Sequence, residues 1–373
     1  MTDLVSAQPQ SSGGVRIEYW FSVASPWTWL GSSRFIELAR RSRAQVEVLP
    51  MELAEVFVAT AGLPFAEHPV CKFILTLLLA MTSTFAASQS LTFTQILDRP
   101  ELKATQPDHK IAYGKDALQF GELWLPPITS KVPLPVVVMI HGGCWRADLP
   151  GPELIAFLAD DLRKHGVAVW SITYRRVGHS GGGYPGTFED VADGVAHLRA
   201  ISTKYNLDLT RAVVTGHSAG GHLALWVAAQ NRIPAASTLK RDQLVNFKAV
   251  VGIAAIPDLA HFARAGAHAC GDKTIDQLVD TATRTPAAGP KNMPFLDTSP
   301  SEMLPLNVKQ ILIHGVFDGI VPPAIGWRYQ SRAKEFGESV ELHALENAGH
   351  FELIAPWTPA GKLVVAKILE TLK

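Results

Sequence analysis

The stretch Ala212-Val213-Val214-Thr215-Gly216-His217-Ser218-Ala219-Gly220-Gly221-His222 runs an apolar, β-branched strand into a serine flanked by small residues. An amphipathic helical pattern follows, so the serine falls at a strand-to-helix turn. The pattern is GxSxG, a nucleophile elbow. Such a turn is so tight that only small residues fit beside the serine, whose Oγ is thrust above the sheet. The helix starting there aims its amide groups and positive dipole end at the same point, which favours developing negative charge. GxSxG also arises by chance; its position between a β-run and a helix gives it weight.

Outward from this turn the chain alternates. Strand-like runs occur at 135–140, 167–174, 211–216, 248–256, 309–314 and 340–345, with helical candidates near 151–165, 188–204, 218–230, 324–336 and 357–372. Residues 109–124 read as a hairpin around Gly114-Lys115-Asp116. Val136-Val137-Val138-Met139-Ile140 is a near-continuous apolar run, as strands buried on both faces require. Strand–helix repetition predicts an α/β fold with a mostly parallel, doubly wound sheet over residues 89–373. No internal repeat is present, which argues against a propeller-bearing peptidase.

A second element joins the serine. His141-Gly142-Gly143-Cys144-Trp145 follows the strand at 135–140, where an oxyanion loop would lie. Acyl transfer builds negative charge on a carbonyl oxygen, and backbone N–H groups from this loop and from Ala219 can stabilise it. Cys144 is expected to supply its N–H rather than its sulfur. A serine hydroxyl is a weak nucleophile and needs a base, oriented in turn by an acid. Among 13 histidines, position decides. In the α/β-hydrolase order of serine, acid, histidine, the acid follows a late strand and the base follows the next. Asp318 follows Ile311-Leu312-Ile313-His314-Gly315, and His350 follows the run from Val340 to Leu345. Both sit at carboxyl ends of strands, where open α/β sheets place ligands. The catalytic set is therefore Ser218, Asp318 and His350.

Residues 89–373 resemble the α/β-hydrolase superfamily over nearly their whole length. The closest look is to the esterase and kynurenine formamidase-like branch, which carries HGGxW and GHSAGGH at these places. Tyr174-Arg175-Arg176 and Tyr184-Pro185-Gly186-Thr187-Phe188-Glu189-Asp190-Val191 also resemble it. The resemblance implies Ser218 as nucleophile, His350 as base, Asp318 as its orienter, and the Gly143, Cys144 and Ala219 amides as oxyanion donors. A departure is the glycine loop at 178–183, expected to border the site. It lacks the GxxxxGK[ST] or GxGxxG patterns of a phosphate cradle. The expected activity is that of a carboxylesterase working through an acyl-enzyme. An arylformamidase, cleaving an N-formyl group from an aromatic amine, is the alternative, and a catalytically dead binding module is disfavoured by the complete triad.

The remaining features mostly read as packing. His141 braces its own loop, His222 packs the nucleophile helix on the sheet, His217 takes the variable elbow position, and His314 closes a strand. Trp145, Phe317, Phe351 and Trp357 flank the catalytic positions; the first three are candidates to line a substrate pocket. His261, His268 and Cys270 are irregularly spaced with no carboxylate cluster, so no metal is implied. No cofactor is implied either, because the triad supplies nucleophile and proton transfer. The long connection between Pro257 and Lys309 is expected to form a small cap.

Upstream, residues 1–14 are polar and expected to be disordered. Val15 to Phe21 and Val46 to Leu49 read as strands around a helix containing Phe35, Leu38 and Ala39. Ser25-Pro26-Trp27-Thr28-Trp29-Leu30-Gly31, with Glu52-Leu53-Ala54-Glu55-Val56-Phe57 and Gly62-Leu63-Pro64, resembles 2-hydroxychromene-2-carboxylate isomerases and kappa-class glutathione transferases. That family has a thioredoxin-like fold, and Ser25 matches the serine that activates glutathione thiol. The match covers only residues 15–66. Without the family's later strands and helical insert the sheet cannot close, so residues 1–70 read as a truncated fragment. Residues 71–88 follow a signal-peptide order: Lys72, an apolar run from Phe73 to Met81, then small residues to Ser88. The run is too short to span a membrane. If used, it implies a periplasmic or secreted hydrolase beginning near Val70 in a fused or mis-started frame; otherwise the protein is cytoplasmic.

Composition sets the outer bounds. The chain has 373 residues, 47% hydrophobic and 18% charged, with 34 basic and 34 acidic side chains. Zero formal charge argues against a nucleic-acid partner, leaving a small-molecule ester or amide as the expected partner. Cys71, Cys144 and Cys270 are too few for a disulfide framework.

Overall fold

Runs of β-branched residues become the strands that their pattern predicts. The computed structural model of the chain describes residues 6–9, 15–21, 45–50, 90–99, 106–127, 130–242, 245–265, 267–280 and 295–373. The chain divides into two compact units, residues 1–87 and 88–373.

In the first unit three strands pair in the order β1 (Ser6–Pro9), β2 (Val15–Phe21), β3 (Gln45–Pro50). β2 is antiparallel to β1 and parallel to β3. β1 falls within the stretch 1–14 that the sequence reads as disordered; only residues 6–9 of that stretch are described, and they form a strand. Ladder hydrogen bonds use main-chain groups, so Ser6 and Gln8 do not prevent pairing. Ser25, the expected helix around Phe35 and the signal-like segment 72–88 lie outside the described residues.

The second unit holds one eight-stranded sheet: β4 (His109–Ala112), β5 (Phe120–Trp124), β6 (Leu134–Ile140), β7 (Ala168–Ile172), β8 (Leu207–His217), β9 (Ala249–Ile253), β10 (Lys309–Gly315) and β11 (Val340–Leu345). Their spatial order is β4-β5-β7-β6-β8-β9-β10-β11. β4 and β5 form the antiparallel hairpin, β5 runs antiparallel to β7, and the other pairings are parallel. Val136 to Ile140, all of β7, and β9 throughout are buried, as strands covered on both faces should be. Each such Val or Ile contributes roughly 1.5–3 kcal/mol through burial.

Nine described helices complete the unit: α1 (Phe93–Leu97), α2 (Ala156–Lys164), α3 (Gly186–Ala196), α4 (Leu198–Ser202), α5 (Ala219–Ala228), α6 (Leu259–Ala265), α7 (Thr274–Val279), α8 (Pro323–Glu335) and α9 (Pro359–Thr371). α5 packs along β8, β9 and β6, α3 packs on α5, and α2 packs on α9. The arrangement is the α/β-hydrolase fold. One expected helix, 188–204, is broken at His197. Trp170 Nε1 donates to Gly194 O at 2.8 Å, competing for the acceptor that Leu198 N–H would use in an unbroken helix.

The site follows from the topology. β6 lies between β7 and β8, so its two neighbours are reached by crossovers in opposite directions, and a crevice opens beyond its carboxyl end. The register pairs Ile140 with Gly216. The loops starting at His141 and His217 therefore leave the sheet side by side.

Candidate functional site

Ser218 sits between β8 and α5 with φ +56° and ψ −121°. A non-glycine residue in such a conformation costs on the order of 1–3 kcal/mol and persists only where its surroundings impose it. Here Ser218 N–H donates to Ile253 O at 2.8 Å and Ser218 O accepts from His222 N–H at 3.1 Å. The flanking glycines are steric requirements. A Cβ on Gly216 would lie 2.1 Å from Gly220 O, and one on Gly220 would lie 2.1 Å from Ile140 O.

The loop after β6 passes directly against this turn: a Cβ on Gly142 would be 3.2 Å from Ser218 Cβ. Gly143, Cys144 and Trp145 then adopt φ values of +93°, +49° and +54° in succession. Two of these three are not glycine, so the loop is strained. Its restraints are visible. Trp145 Nε1 donates to His222 Nδ1 at 3.1 Å, and His222 Nε2 bonds Thr298 O at 2.7 Å. Val177 N–H donates to Trp145 O and Ala147 N–H to Val177 O, both at 2.8 Å, so the segment before the glycine loop 178–183 brackets this loop from behind. Arg176 Nη1 donates to Leu149 O at 2.7 Å and Pro150 O at 3.1 Å. Among the described residues, the amides of Gly143, Cys144 and Ala219 donate to no protein acceptor outside regular secondary structure.

Two expectations are corrected here. The Cys144 sulfur is not idle: it is bonded to Cys270, 126 residues away in sequence. Three cysteines make no framework, but two of them make one bond, because the fold lays α6 and the turn after it beside the loop. That bond also removes the Cys270 thiolate from any metal site with His261 and His268. Trp145, expected along a substrate pocket, is fully buried against His222 and Phe262, with ring centroids at 5.4 and 6.4 Å. It braces the loop instead of facing a substrate.

Asp318 and His350 come from the loops after β10 and β11. Those strands are parallel neighbours. Val316 N–H donates to Leu345 O, and Phe317 N–H to Ala348 O, each at 2.9 Å, so the loops leave the sheet tied together. His350 Nδ1 bonds Asp318 Oδ2 at 2.7 Å, while Asp318 Oδ1 accepts from the Ile320 and Val321 amides, both at 2.8 Å. Burial pushes the Asp318 carboxyl up. The His350 hydrogen bond and charge, with those two amides, outweigh it and hold the group below the usual carboxylate range.

His217 joins the two halves. Its ring lies 4.4 Å from that of His350, and its Nε2 bonds His350 O at 3.1 Å. The residue next to Ser218 is thus packed on the imidazole that Asp318 holds. Burial, then the neighbouring His350 charge, lowers the His217 pKa to about 3, so its ring is neutral. His141 is pushed down to about 3 by burial and then by the Arg176 guanidinium. It stacks on Tyr174 at 4.4 Å, and Tyr174 Oη donates to His141 O at 2.8 Å. His217 as a packing partner of His350 was not foreseen, because no local pattern encodes a contact across that much chain.

The rim is aromatic. Phe351 packs edge-on to His350 at 5.0 Å and to Phe93 at 6.2 Å, while Phe317 is 55% exposed. Phe93 belongs to a strap, residues 90–97, pinned by the buried Glu352 carboxylate. That group accepts from the Leu91 amide through one oxygen and from the Gly349 amide, at 3.0 Å, through the other. Neither Phe93 nor Glu352 carries a sequence signal. Among the described residues, no helix is long and apolar enough to cross a membrane.

The sheet order, the serine turn and the paired Asp318 and His350 define an α/β-hydrolase-type protein. The BD-FAE family matches residues 122–331, more than half of the chain, and the chain belongs to that family. It is 28% identical over 254 residues to "Esterase LipC" of Mycobacterium tuberculosis, covering 65% of this chain and 57% of that protein. It is 24% identical over 265 residues to a probable isoprenylcysteine alpha-carbonyl methylesterase of Oryza sativa subsp. japonica, covering 67% and 58%. The chain thus spans little more than half the length of these two relatives. Among solved structures, esterase B from Lactobacillus rhamnosis superposes with a TM-score of 0.61 at 18% identity, over 81% of this chain and 94% of that one. That likeness is one of fold.

Proposed function

We propose that residues 88–373 form a serine hydrolase cleaving small carboxylic esters through an acyl-enzyme. The observation that carries the reading is the 2.7 Å bond between His350 Nδ1 and Asp318 Oδ2, with the imidazole packed beside the strained Ser218 turn. Asp318 fixes the imidazole with its proton on Nδ1, leaving Nε2 to accept the Ser218 proton as Oγ attacks the ester carbonyl. The negative charge on the carbonyl oxygen falls to the amides of Gly143, Cys144 and Ala219. Collapse expels the alcohol, which takes the proton from His350. Water then attacks the acyl-enzyme, with His350 removing its proton and returning one to Ser218. Phe317 and Phe351 border the entry of the substrate. The esterase relatives support the ester as substrate class.

The test is hydrolysis of p-nitrophenyl acetate and butyrate, with N-formylkynurenine as a formamide comparator and Ser218→Ala as the blank. Ester turnover should fall by about 10⁶ in kcat in the variant, as where a triad nucleophile is removed. Folded wild-type protein that releases no p-nitrophenol would sink the reading. Faster cleavage of the formamide would replace the ester with an amide substrate.

A further inference from the structure

We infer that Cys270 is a positioning residue for the oxyanion loop: its bond to Cys144 holds the Cys144 amide where the reaction needs it, so turnover depends on that bond. This rests on the hydrolase reading. Cys144 is both a donor residue and one of three consecutive residues held at positive φ. Such a loop relaxes to a more comfortable backbone unless something imposes its shape. Trp145 and Arg176 hold positions to either side, but the anchor at Cys144 itself is the disulfide.

The far end of the bond is itself well fixed. Cys270 is 2% exposed and lies between α6 and α7. Its carbonyl accepts from Thr274 Oγ1 at 2.7 Å and from Arg146 Nη1 at 3.0 Å, so a residue two beyond Cys144 returns to the same point. Gly271 turns the chain at φ +98°, where a Cβ would meet Arg146 Nη1 at 3.0 Å. Phe262 of α6, Ile275 and Leu278 of α7 are buried in the core, giving the anchor a rigid base. Constraint thus passes from α6 and α7 through sulfur to the peptide carrying the Cys144 N–H.

Reduction gives the direct test. A dithiol such as dithiothreitol transfers two electrons and two protons, opening the bond to two thiols and ending as its own cyclic disulfide. Loss of one oxyanion donor costs about 10²–10³ in kcat. A displaced rather than deleted donor should cost less, on the order of tenfold to a hundredfold.

The experiment compares full-length wild type, Cys270→Ala and Cys71→Ser on p-nitrophenyl butyrate, before and after dithiothreitol, with circular dichroism confirming the fold. Reduced wild type and Cys270→Ala should lose at least about tenfold in kcat with KM within about twofold. Cys71→Ser should behave as wild type, and reoxidation should restore wild type but not Cys270→Ala. If Cys270→Ala fails to fold, the reductive titration of wild type decides. Unchanged kcat in folded, reduced enzyme overturns the inference, even if its melting temperature drops. So does peptide mapping that finds free thiols at Cys144 and Cys270 in oxidised protein. If oxidised wild type neither hydrolyses ester nor takes a fluorophosphonate on Ser218, the hydrolase reading fails and this inference falls with it; an active but reduction-indifferent enzyme sinks this inference alone.

Discussion

Asp318 is satisfied on both oxygens, by His350 on one and by the Ile320 and Val321 amides on the other. Its depressed pKa, against the pull of burial, means that it is ionised at neutral pH and can fix one imidazole tautomer. Asp318→Asn keeps the shape while removing the charge, and its side-chain amide can present a donor to Nδ1 and favour the wrong tautomer. We expect kcat on p-nitrophenyl butyrate to fall about 10⁴-fold with little change in melting temperature. A loss below tenfold would remove Asp318 from the proposed role. At this scale the sequence was informative wherever a residue's place is set by a strand end. Ser218, Asp318 and His350 each follow one. It was silent where a contact depends on three-dimensional proximity alone: neither the His217 ring on His350 nor the Cys144–Cys270 bond has a spacing rule behind it. Trp145 shows a third case, since an aromatic in the loop after β6 reads alike whether it faces a cleft or the core.

Among elements, the strap at residues 90–97 has a direct connection to the site; its helix start is marked only by the capping box of Thr92 and Gln95, and nothing in the sequence marks its link to Glu352. Glu352 joins it to Gly349, the residue before His350, through two amides on one carboxylate. Glu352→Gln would turn one acceptor oxygen into an NH₂ facing an N–H in a buried place. That should cost about 1–3 kcal/mol, read as a drop of a few degrees in melting temperature. Because Gly349 shares in the loss, kcat should fall severalfold while KM changes less. A melting temperature within half a degree of wild type would show that the carboxylate does not pin the strap. The larger elements were legible because period and burial agree: the strands β6 to β11 come from apolar or alternating runs bounded by turns. Their ends were less so. β8 begins earlier than its apolar run because Leu207 and Asp208 pair with Leu134 and Pro135 before the register shifts at Val136. Pro135 has no N–H to give that ladder. The break at His197 depends on Trp170 of β7, far from the helix in sequence.

For the whole of residues 88–373, the site's surroundings carry a cost in acid. Four fully buried histidines lie at the ends of β6, β8 and β10 and on the first turn of α5: His141 and His217, each lowered to about 3, and His222 and His314, each lowered to about 4. Burial is the leading cause in every case. His141 Nε2, His217 Nδ1 and His314 Nε2 have no hydrogen-bond partner among the described residues, so a proton placed on any of them would be buried without an acceptor. Unfolding restores the ordinary value near 6.5. Below that pH the unfolded chain binds protons that the folded one refuses, so stability is full above about 6.5 and is lost as pH falls toward 4. Each histidine contributes up to about 1.4 kcal/mol per pH unit in that window, so the four together remove several kcal/mol by pH 5. Against a typical total of about 5–15 kcal/mol, that is a large share. Urea unfolding between pH 7.5 and 5.0 should show a steep fall in stability, with a slope near pH 5 approaching four extra protons on the unfolded chain. His141→Asn should reduce that slope by about one proton. A stability that is flat across this range would show that these rings are not held neutral by burial, and that the packing of His217 on His350 does not depend on an uncharged ring.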